Sequence, residues 1–203
     1  MSTSLSPSEI SERLFDILSS TRFLDMEGLG NEVPIFIQPY PVAEEELMSS
    51  LVRSLVARMN NAGISTTHVD LFDLIVELLK ASGRLSRITE KEPSLTRQKM
   101  TELMSNLADP GKVVVPALAK KMAEPGVRIT ILTGAGHVYP FLRTHQLLEE
   151  IQASMMHHPL VLFFPGEYTQ TKGLGSQLRL FGTQPAKGYY RAFNLDQYRL
   201  HQS

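Results

Sequence analysis

The residues with the best spacing for chemistry lie in ILTGAGHVYPFLRTH, from Ile131 to His145. An apolar run leads into Gly134-Ala135-Gly136, and a helical pattern follows, which is the order found where backbone amides bind a phosphate. A Walker-type loop also needs a lysine followed by Ser or Thr, but His-Val-Tyr-Pro follows the second glycine. Tyr139 occupies the position of the third glycine of a dinucleotide fingerprint. Both standard phosphate motifs are therefore incomplete.

A weaker anion site stays open as an alternative at this turn. The start of a helix presents free N–H groups, and His137 and Arg143 carry side chains that favour an anion. Pro140 removes one of those N–H donors. We favour the simpler interpretation, in which Gly134 and Gly136 allow backbone angles or close packing that other residues do not.

Glu167 is a further candidate because it follows Leu160–Phe164, a continuous apolar run that predicts a strand buried on both faces. Ligands of open α/β sheets bind at the carboxyl ends of strands, where Glu167 could converge with His137 and Arg143. The alternative, which we favour, is a local ion pair of Glu167 with Lys172 or Arg179. The candidate ligand-binding residues are Gly134, Gly136, His137, Arg143 and Glu167, and no residue is predicted to be catalytic.

The remaining reactive residue types give no complete site. None of the six histidines lies in an H-E-x-x-H pattern, and His157-His158 are adjacent, which favours surface or helix-end positions over metal binding. Ser176 follows a glycine but precedes a strand-like segment, so we interpret it as a loop serine and not a nucleophile. We expect no cofactor and no metal site. The Tyr189-Tyr190-Arg191 segment is typical of a strand with an aromatic in the core.

Strand and helix patterns alternate along the chain, which predicts parallel βα units. Ser6-Pro7-Ser8-Glu9 begins a helix, and Asp70 caps another that ends near Gly83. The expected strands are Val33–Gln38, Ile64–Val69, Val127–Leu132 and Leu160–Phe164; the expected helices include Glu44–Asn61 and Pro140–Met155.

The C-terminal segment contains PGEYTQTKGLGSQ, which we interpret as a glycine-rich loop, and then LRLFG and YYRAFNL, interpreted as strands joined as a hairpin. The pattern predicts a Rossmann-like three-layer α/β fold with a mostly parallel central sheet and a C-terminal strand pair. Residues 84–125 are predicted to be a helical insertion within a single domain of residues 1–203.

The amino-acid composition disfavours several classes of ligand and cellular location. The hydrophobic fraction of 42% is ordinary for a globular protein, and the net charge of −1 disfavours DNA or an acidic membrane as the main ligand. The chain has no cysteine, no basic-then-apolar start typical of a secretion signal and no apolar stretch of about twenty residues. We therefore expect a cytoplasmic protein with no membrane helix.

Six segments together resemble one protein family. ILTGAGHVYPFLRTHQLLEEIQ, PLVLFFPGEY, LRLFG and YYRAFNL, in this order, are similar to the BrxB family of the bacteriophage exclusion (BREX) defence systems. VPIFIQPYPVAEEE and VDLFDLIVELL resemble the N-terminal half of that family. The resemblance covers nearly the whole chain.

The resemblance implies a small cytoplasmic α/β protein needed for phage restriction and host methylation. It also implies gene neighbours that are a methyltransferase, a large ATPase and an alkaline-phosphatase-like protein. The resemblance assigns no catalytic residue to this chain. The first hypothesis is a non-catalytic component that binds other BREX proteins, foremost the phosphatase-like one and then the methyltransferase or ATPase. The alternatives are a degenerate nucleotide binder or hydrolase using the Gly134–Arg143 turn, and a DNA-contacting module, which the charge balance disfavours.

Overall fold

The computed structural model describes residues 6–29, 33–152, 157–171, 175–184 and 191–200. The helices are α1 (Pro7–Ser19), α2 (Thr21–Leu24), α3 (Glu45–Asn61), α4 (Leu71–Ala81), α5 (Leu85–Lys91), α6 (Arg97–Leu107), α7 (Val115–Met122) and α8 (Thr144–Gln152). The strands are β1 (Ile35–Tyr40), β2 (Thr66–Asp70), β3 (Ile129–Thr133), β4 (Leu160–Thr171), β5 (Gly175–Leu180) and β6 (Phe193–Asn194). None of the described helices is long and apolar enough to cross a membrane.

The strands form one sheet in the order β2-β3-β4-β1-β6, and β5 pairs with β4 beside this path. Every pairing is parallel except β4 with β5, which is antiparallel. The predicted α/β fold with a mostly parallel central sheet is confirmed. β1 connects through α3 to β2 at the far edge of the sheet, so these two consecutive strands do not pair, whereas β2, β3 and β4 lie side by side in chain order.

The sheet is buried on both faces, because alternate residues of its central strands enter two separate apolar clusters. Phe36, Ile131 and Phe163 pack with buried residues of α1 and α3 on one face. Ile37 and Leu132 pack with α4, α7 and α8 on the other face. This arrangement explains why the apolar runs of the central strands are continuous and confirms the interpretation of Leu160–Phe164.

Local sequence signals set several helix starts. The side chain of Ser6 accepts a bond from the N–H of Glu9, whose carboxylate in turn accepts a bond from the N–H of Ser6, so α1 begins with a capping box. α3 begins with two acidic residues, as a helix N-terminus favours. Asp70 caps α4, as predicted. Helices α5, α6 and α7, with a π-helical turn at Pro110–Val114, fill most of residues 84–125.

The C-terminal strands pair differently from the prediction. The loop interpretation of PGEYTQTKGLGSQ is wrong, because β4 continues to Thr171 and β5 begins at Gly175. The hairpin between LRLFG and YYRAFNL is also wrong: β5 pairs with β4, and the short β6 pairs in parallel with β1. Tyr189 and Tyr190 lie outside the described residues.

Several element boundaries also differ from their predictions, and β1, β2 and β3 each begin two residues later than expected. Helix α8 begins at Thr144 instead of Pro140, because residues 135–141 form successive turns; Met155 lies outside the described residues. Strand β1 extends to Tyr40 instead of ending at Gln38. β6 pairs with Phe36 and Ile37, and among the described residues no strand pairs with the rest of that edge of β1, which therefore tolerates a proline.

Candidate functional site

The turn after β3 lies at the edge of the sheet where the carboxyl ends of the parallel strands meet. In open α/β sheets this edge is where ligands bind. The polar residues at the strand ends here are Tyr40 of β1, Asp70 of β2 and Thr133 of β3, and Glu167 lies within β4. Their contacts decide what chemistry the edge can perform.

The Asp70 carboxylate accepts three hydrogen bonds from the protein. Its Oδ1 accepts hydrogen bonds from the N–H groups of Phe72 (2.9 Å) and Asp73 (3.2 Å) at the start of α4. Its Oδ2 accepts a bond of 2.9 Å from the hydroxyl of Thr133, the residue beside it in the β2–β3 register. The same carboxylate lies so close to Gly134 that an added Cβ there would be 2.6 Å from Oδ2.

Thr133 links this carboxylate to His68. Nε2 of His68 lies 3.0 Å from the Thr133 hydroxyl. A hydroxyl has one hydrogen, and Thr133 donates it to Asp70, so the His68 ring must be the donor and carry its proton on Nε2. The three side chains therefore form one chain of hydrogen bonds across the ends of β2 and β3.

A second polar cluster joins β1 to the turn. The Tyr40 hydroxyl donates a hydrogen bond of 2.8 Å to Oε2 of Glu45, and Oε1 of Glu45 lies 3.7 Å from Nε2 of His137. Burial of the phenol, followed by its bond to the Glu45 carboxylate, raises the pKa of Tyr40 well above its usual range. Tyr40 is therefore neutral and acts as a donor to Glu45.

The second glycine of the turn packs against β4 and the segment after β5. A Cβ at Gly136 would lie 3.0 Å from the ring of Phe181 and 3.1 Å from Pro165. The phenol of Tyr139 donates to Gln184 over 2.8 Å, and the guanidinium of Arg143 lies 6.0 Å from the Tyr139 ring centre. Gly134 has a φ of +79° and its own close contact, so the interpretation of both glycines as packing and turn residues is confirmed.

Glu167 does not join the cluster that contains His137. It forms an ion pair with Arg179 across the β4–β5 ladder, with 3.1 Å between Oε2 and Nη1. This is the favoured local pairing, and its other predicted partner, Lys172, lies outside the described residues. β3 and β4 are neighbours, but His137 contacts Glu45 and Arg143 contacts Tyr139, so each of the three charged side chains has a different partner.

A groove of about 540 Å³ lies beside this edge, between the segment after β1, the β4–β5 hairpin and the segment after β6. Its described lining includes Tyr40, Val42, Tyr168 and Phe181 and the carboxylates of Glu167 and Asp196, but no Lys, Arg or His. Phosphate sites require cations or free N–H donors, so this lining is poorly suited to a nucleotide.

Two further sequence candidates occupy structural positions. His158 is 7% exposed, and its Nε2 lies 2.8 Å from the Thr130 hydroxyl, so it is a buried residue and the surface position, one of the two that we expected for the histidine pair, is wrong for it; His157 is exposed. Burial, with a smaller effect of His157, lowers the pKa of His158. The loop interpretation of Ser176 is wrong, because it is buried in β5 and donates to the carbonyl of Ala192. Within the described residues, no group of three or more His, Asp or Glu side chains could hold a metal ion.

Sequence reasoning identified Asp70 only as a helix cap and missed its contact with Gly134. The two residues are far apart in the chain, and the contact depends on β2 lying beside β3. Had that strand order been assumed, Asp70 and Thr133 would have been expected to meet at the same edge. Tyr40 and Glu45 gave no signal, because a tyrosine in a proline-rich segment and a glutamate in a first helical turn are both common.

Comparisons with known proteins identify a family. The sequence profile of the family described as BREX protein BrxB matches residues 67–195. BREX protein BrxB of Bacillus cereus (strain H3081.97) is 31% identical over 193 residues, which cover 92% of this chain and 97% of the relative. BREX protein BrxB of Escherichia coli O9:H4 (strain HS) is 28% identical over 180 residues, which cover 88% of this chain and 86% of the relative. No solved structure matches the chain.

The family profile covers more than half of the chain, and the first relative is aligned over nearly its full length. These matches agree with the resemblance found in the sequence segments. The chain therefore belongs to the BREX protein BrxB family, and this membership supports a role in BREX phage defence.

Proposed function

We propose that this protein is a non-catalytic component of a BREX system that works by binding other BREX proteins. The phosphatase-like protein is the foremost partner, and the methyltransferase and the ATPase are the next candidates. The protein would serve host methylation and phage restriction by holding these proteins together.

One observation carries the proposal: the polar side chains at the carboxyl edge of the sheet bond to each other. Asp70 is bound by Thr133 and by two N–H groups of α4, and Glu45 is bound by Tyr40. Glu167 is paired with Arg179. A general acid or base must present a lone pair or proton to the substrate, whereas each of these carboxylates has a protein partner on at least one of its oxygens.

The alternative is a nucleotide-binding or hydrolase-like protein that uses the Gly134–Arg143 turn. His137 and Arg143 lie on that turn beside the edge where α/β proteins bind ligands, which is the observation in favour of it. Against it, a phosphate near Gly134 would meet the Asp70 carboxylate, and the neighbouring groove contains no described cation. Like charges at such distances repel strongly where water is excluded.

Calorimetry with ATP, NAD and dinucleotides, with and without magnesium, tests the proposal against this alternative. We expect no saturable binding at micromolar concentrations. Saturable binding that is lost in His137→Ala or Arg143→Ala would contradict the proposal and support the nucleotide-binding function. Variants of Arg191, an exposed arginine away from the turn, provide the control for a change of charge.

A further inference from the structure

The charges of this chain are strongly segregated, although they nearly cancel overall. Residues 80–121 contain nine Lys or Arg and four Asp or Glu, a formal charge of +5, whereas the rest of the chain carries −6. The excess is concentrated at residues 80–99, which contain six cations and two acids. We call these twenty residues, from the last turn of α4 through the start of α6, the basic segment.

The cations of the basic segment have no partners within the described protein. Elsewhere, arginines such as Arg58 and Arg128 bond to carboxylates at 2.8 and 2.7 Å. In contrast, no ion pair or side-chain hydrogen bond holds any of the six cations of the basic segment, all of which are exposed: Lys80, Arg84, Arg87, Lys91, Arg97 and Lys99. Arg84 is the N-cap residue of α5, and Arg87 and Lys91 follow it at spacings of three and four residues, so the three cations lie on one side of the helix.

Apolar side chains lie next to these cations. Helix α6 has eleven residues, none of which is buried. Met104 and Leu107 pack against the core, but Met100 and Leu103 are only half-buried and belong to neither core cluster. Met and Arg are enriched at the centres of protein interfaces, whereas DNA backbones offer nothing for a half-buried apolar pair to contact.

We propose that the basic segment, with Met100 and Leu103, is the surface that binds a protein partner whose own contact surface is acidic with an apolar centre. The inference rests on the proposed function and adds to it the place of contact and the chemistry of the partner. Unpaired exposed cations attract an acidic surface and speed its association. The half-buried apolar pair provides the area that becomes dry on binding.

A second copy of this chain fits the surface poorly. A two-fold symmetric dimer through the basic segment would place like charges against each other. A head-to-tail contact of the basic segment with the acidic remainder of another copy closes only for particular rotations between the subunits, and otherwise it continues into an open chain of subunits. A different protein avoids both problems.

The test measures dissociation constants of the purified full chain with the phosphatase-like, methyltransferase and ATPase proteins of its BREX system, each in turn. For the partner that binds, Arg84→Glu with Arg87→Glu should weaken binding at least tenfold at low salt. Met100→Gln with Leu103→Gln, which keeps good helix formers, should also weaken binding. The matched control is Arg53→Glu with Arg191→Glu, which changes the net charge equally on exposed cations outside the basic segment and should bind as the natural chain does.

The outcomes separate the two proposals. If the natural chain binds a BREX protein and both basic-segment variants bind it equally well, the contact surface is wrong while the proposed function stands. If the natural chain binds none of the three proteins, the proposed function is wrong, and the surface inference that rests on it is wrong too. Saturable binding of a 20-base-pair DNA duplex that is lost in Arg84→Glu with Arg87→Glu would assign the surface to nucleic acid and overturn the inference.

Discussion

The carboxylate of Asp70 occupies the space into which any side chain at position 134 would have to extend. A Cβ built on Gly134 would lie 2.6 Å from Oδ2 and 2.7 Å from Oδ1 of Asp70. The backbone of Gly134 also has a φ of +79°, which L side chains rarely adopt. The glycine that suggested a phosphate loop is therefore needed at this position because the Asp70 carboxylate leaves no room for a Cβ.

Replacement of Gly134 by alanine should destabilise the fold more than its backbone angle alone explains. Gly63 has the same φ of +79° but no heavy atom within 4 Å of an added Cβ, so it isolates the backbone cost. We expect Gly63→Ala to lower the free energy of unfolding by about 1 kcal/mol and Gly134→Ala by about 3 kcal/mol, as measured by urea denaturation. Equal losses would show that Asp70 does not restrict position 134.

A double-mutant cycle can assign the extra loss to Asp70. In an Asp70→Ala background, which is itself destabilised through the lost helix cap, Gly134→Ala should cost only about as much as Gly63→Ala, about 1 kcal/mol. If the cost of Gly134→Ala is unchanged by the removal of the carboxylate, the crowding comes from another group.

The Asp70–Gly134 contact shows where sequence reasoning succeeds and where it fails. The cap at Asp70 and the long helix α3 were both predictable, because each is determined by residues that are close together in the sequence. The contact joins the last residue of β2 to the residue after β3, and it exists only because those strands are neighbours. No local pattern contains that information.

The C-terminal errors have the same origin. The continuation of β4 past Gly166 is polar, because the outer part of the β4–β5 hairpin is exposed at Thr169 and Gln170. A hydrophobic pattern therefore ends before the strand does. The partner of β6 was also unpredictable, because β6 follows β5 in the chain yet pairs with β1.

The hydroxyl of Thr133 should be the part of this side chain that stabilises the fold. Thr133→Val keeps the shape of the side chain but leaves Asp70 Oδ2 and His68 without their common partner. We expect a loss of about 1–2 kcal/mol in the free energy of unfolding, whereas Thr133→Ser, which retains the hydroxyl, should lose much less. Thermal or urea denaturation of the two variants makes the comparison. Similar losses for Val and Ser would show that the methyl group matters and the hydrogen bonds do not.

The contribution of the Tyr40 hydroxyl to the free energy of unfolding should decrease at high pH. Tyr40→Phe removes the bond to Glu45 and should cost about 1 kcal/mol near neutral pH. The folded protein raises the pKa of Tyr40, so the folded state keeps the proton that the unfolded chain loses near pH 10.0. The advantage of the natural chain over Tyr40→Phe should therefore be constant below pH 9 and decrease above pH 10. An advantage that increases above pH 10 would contradict the neutral, donating phenol.

His158 should make the protein less stable in weak acid. Burial lowers the pKa of His158 below the ordinary value of 6.5, so just below that pH the unfolded chain binds a proton that His158 in the folded protein does not. The contribution of His158 is favourable above pH 6.5 and is lost as the pH falls towards its folded pKa. Between pH 7 and 5 the natural chain should lose more stability than His158→Gln, as measured by urea denaturation at each pH. His157→Gln, at an exposed position, is the control, and it should lose nearly as much stability as the natural chain, because it removes only the smaller of the two causes of the lowered His158 pKa.

The central claim is that this protein acts by binding other BREX proteins. The most direct measurement is affinity purification of the tagged full chain from its native host at native expression, with quantification of the proteins that co-elute. We predict near-stoichiometric recovery of the phosphatase-like protein or of the methyltransferase. Recovery of the chain alone under the same conditions would contradict the account.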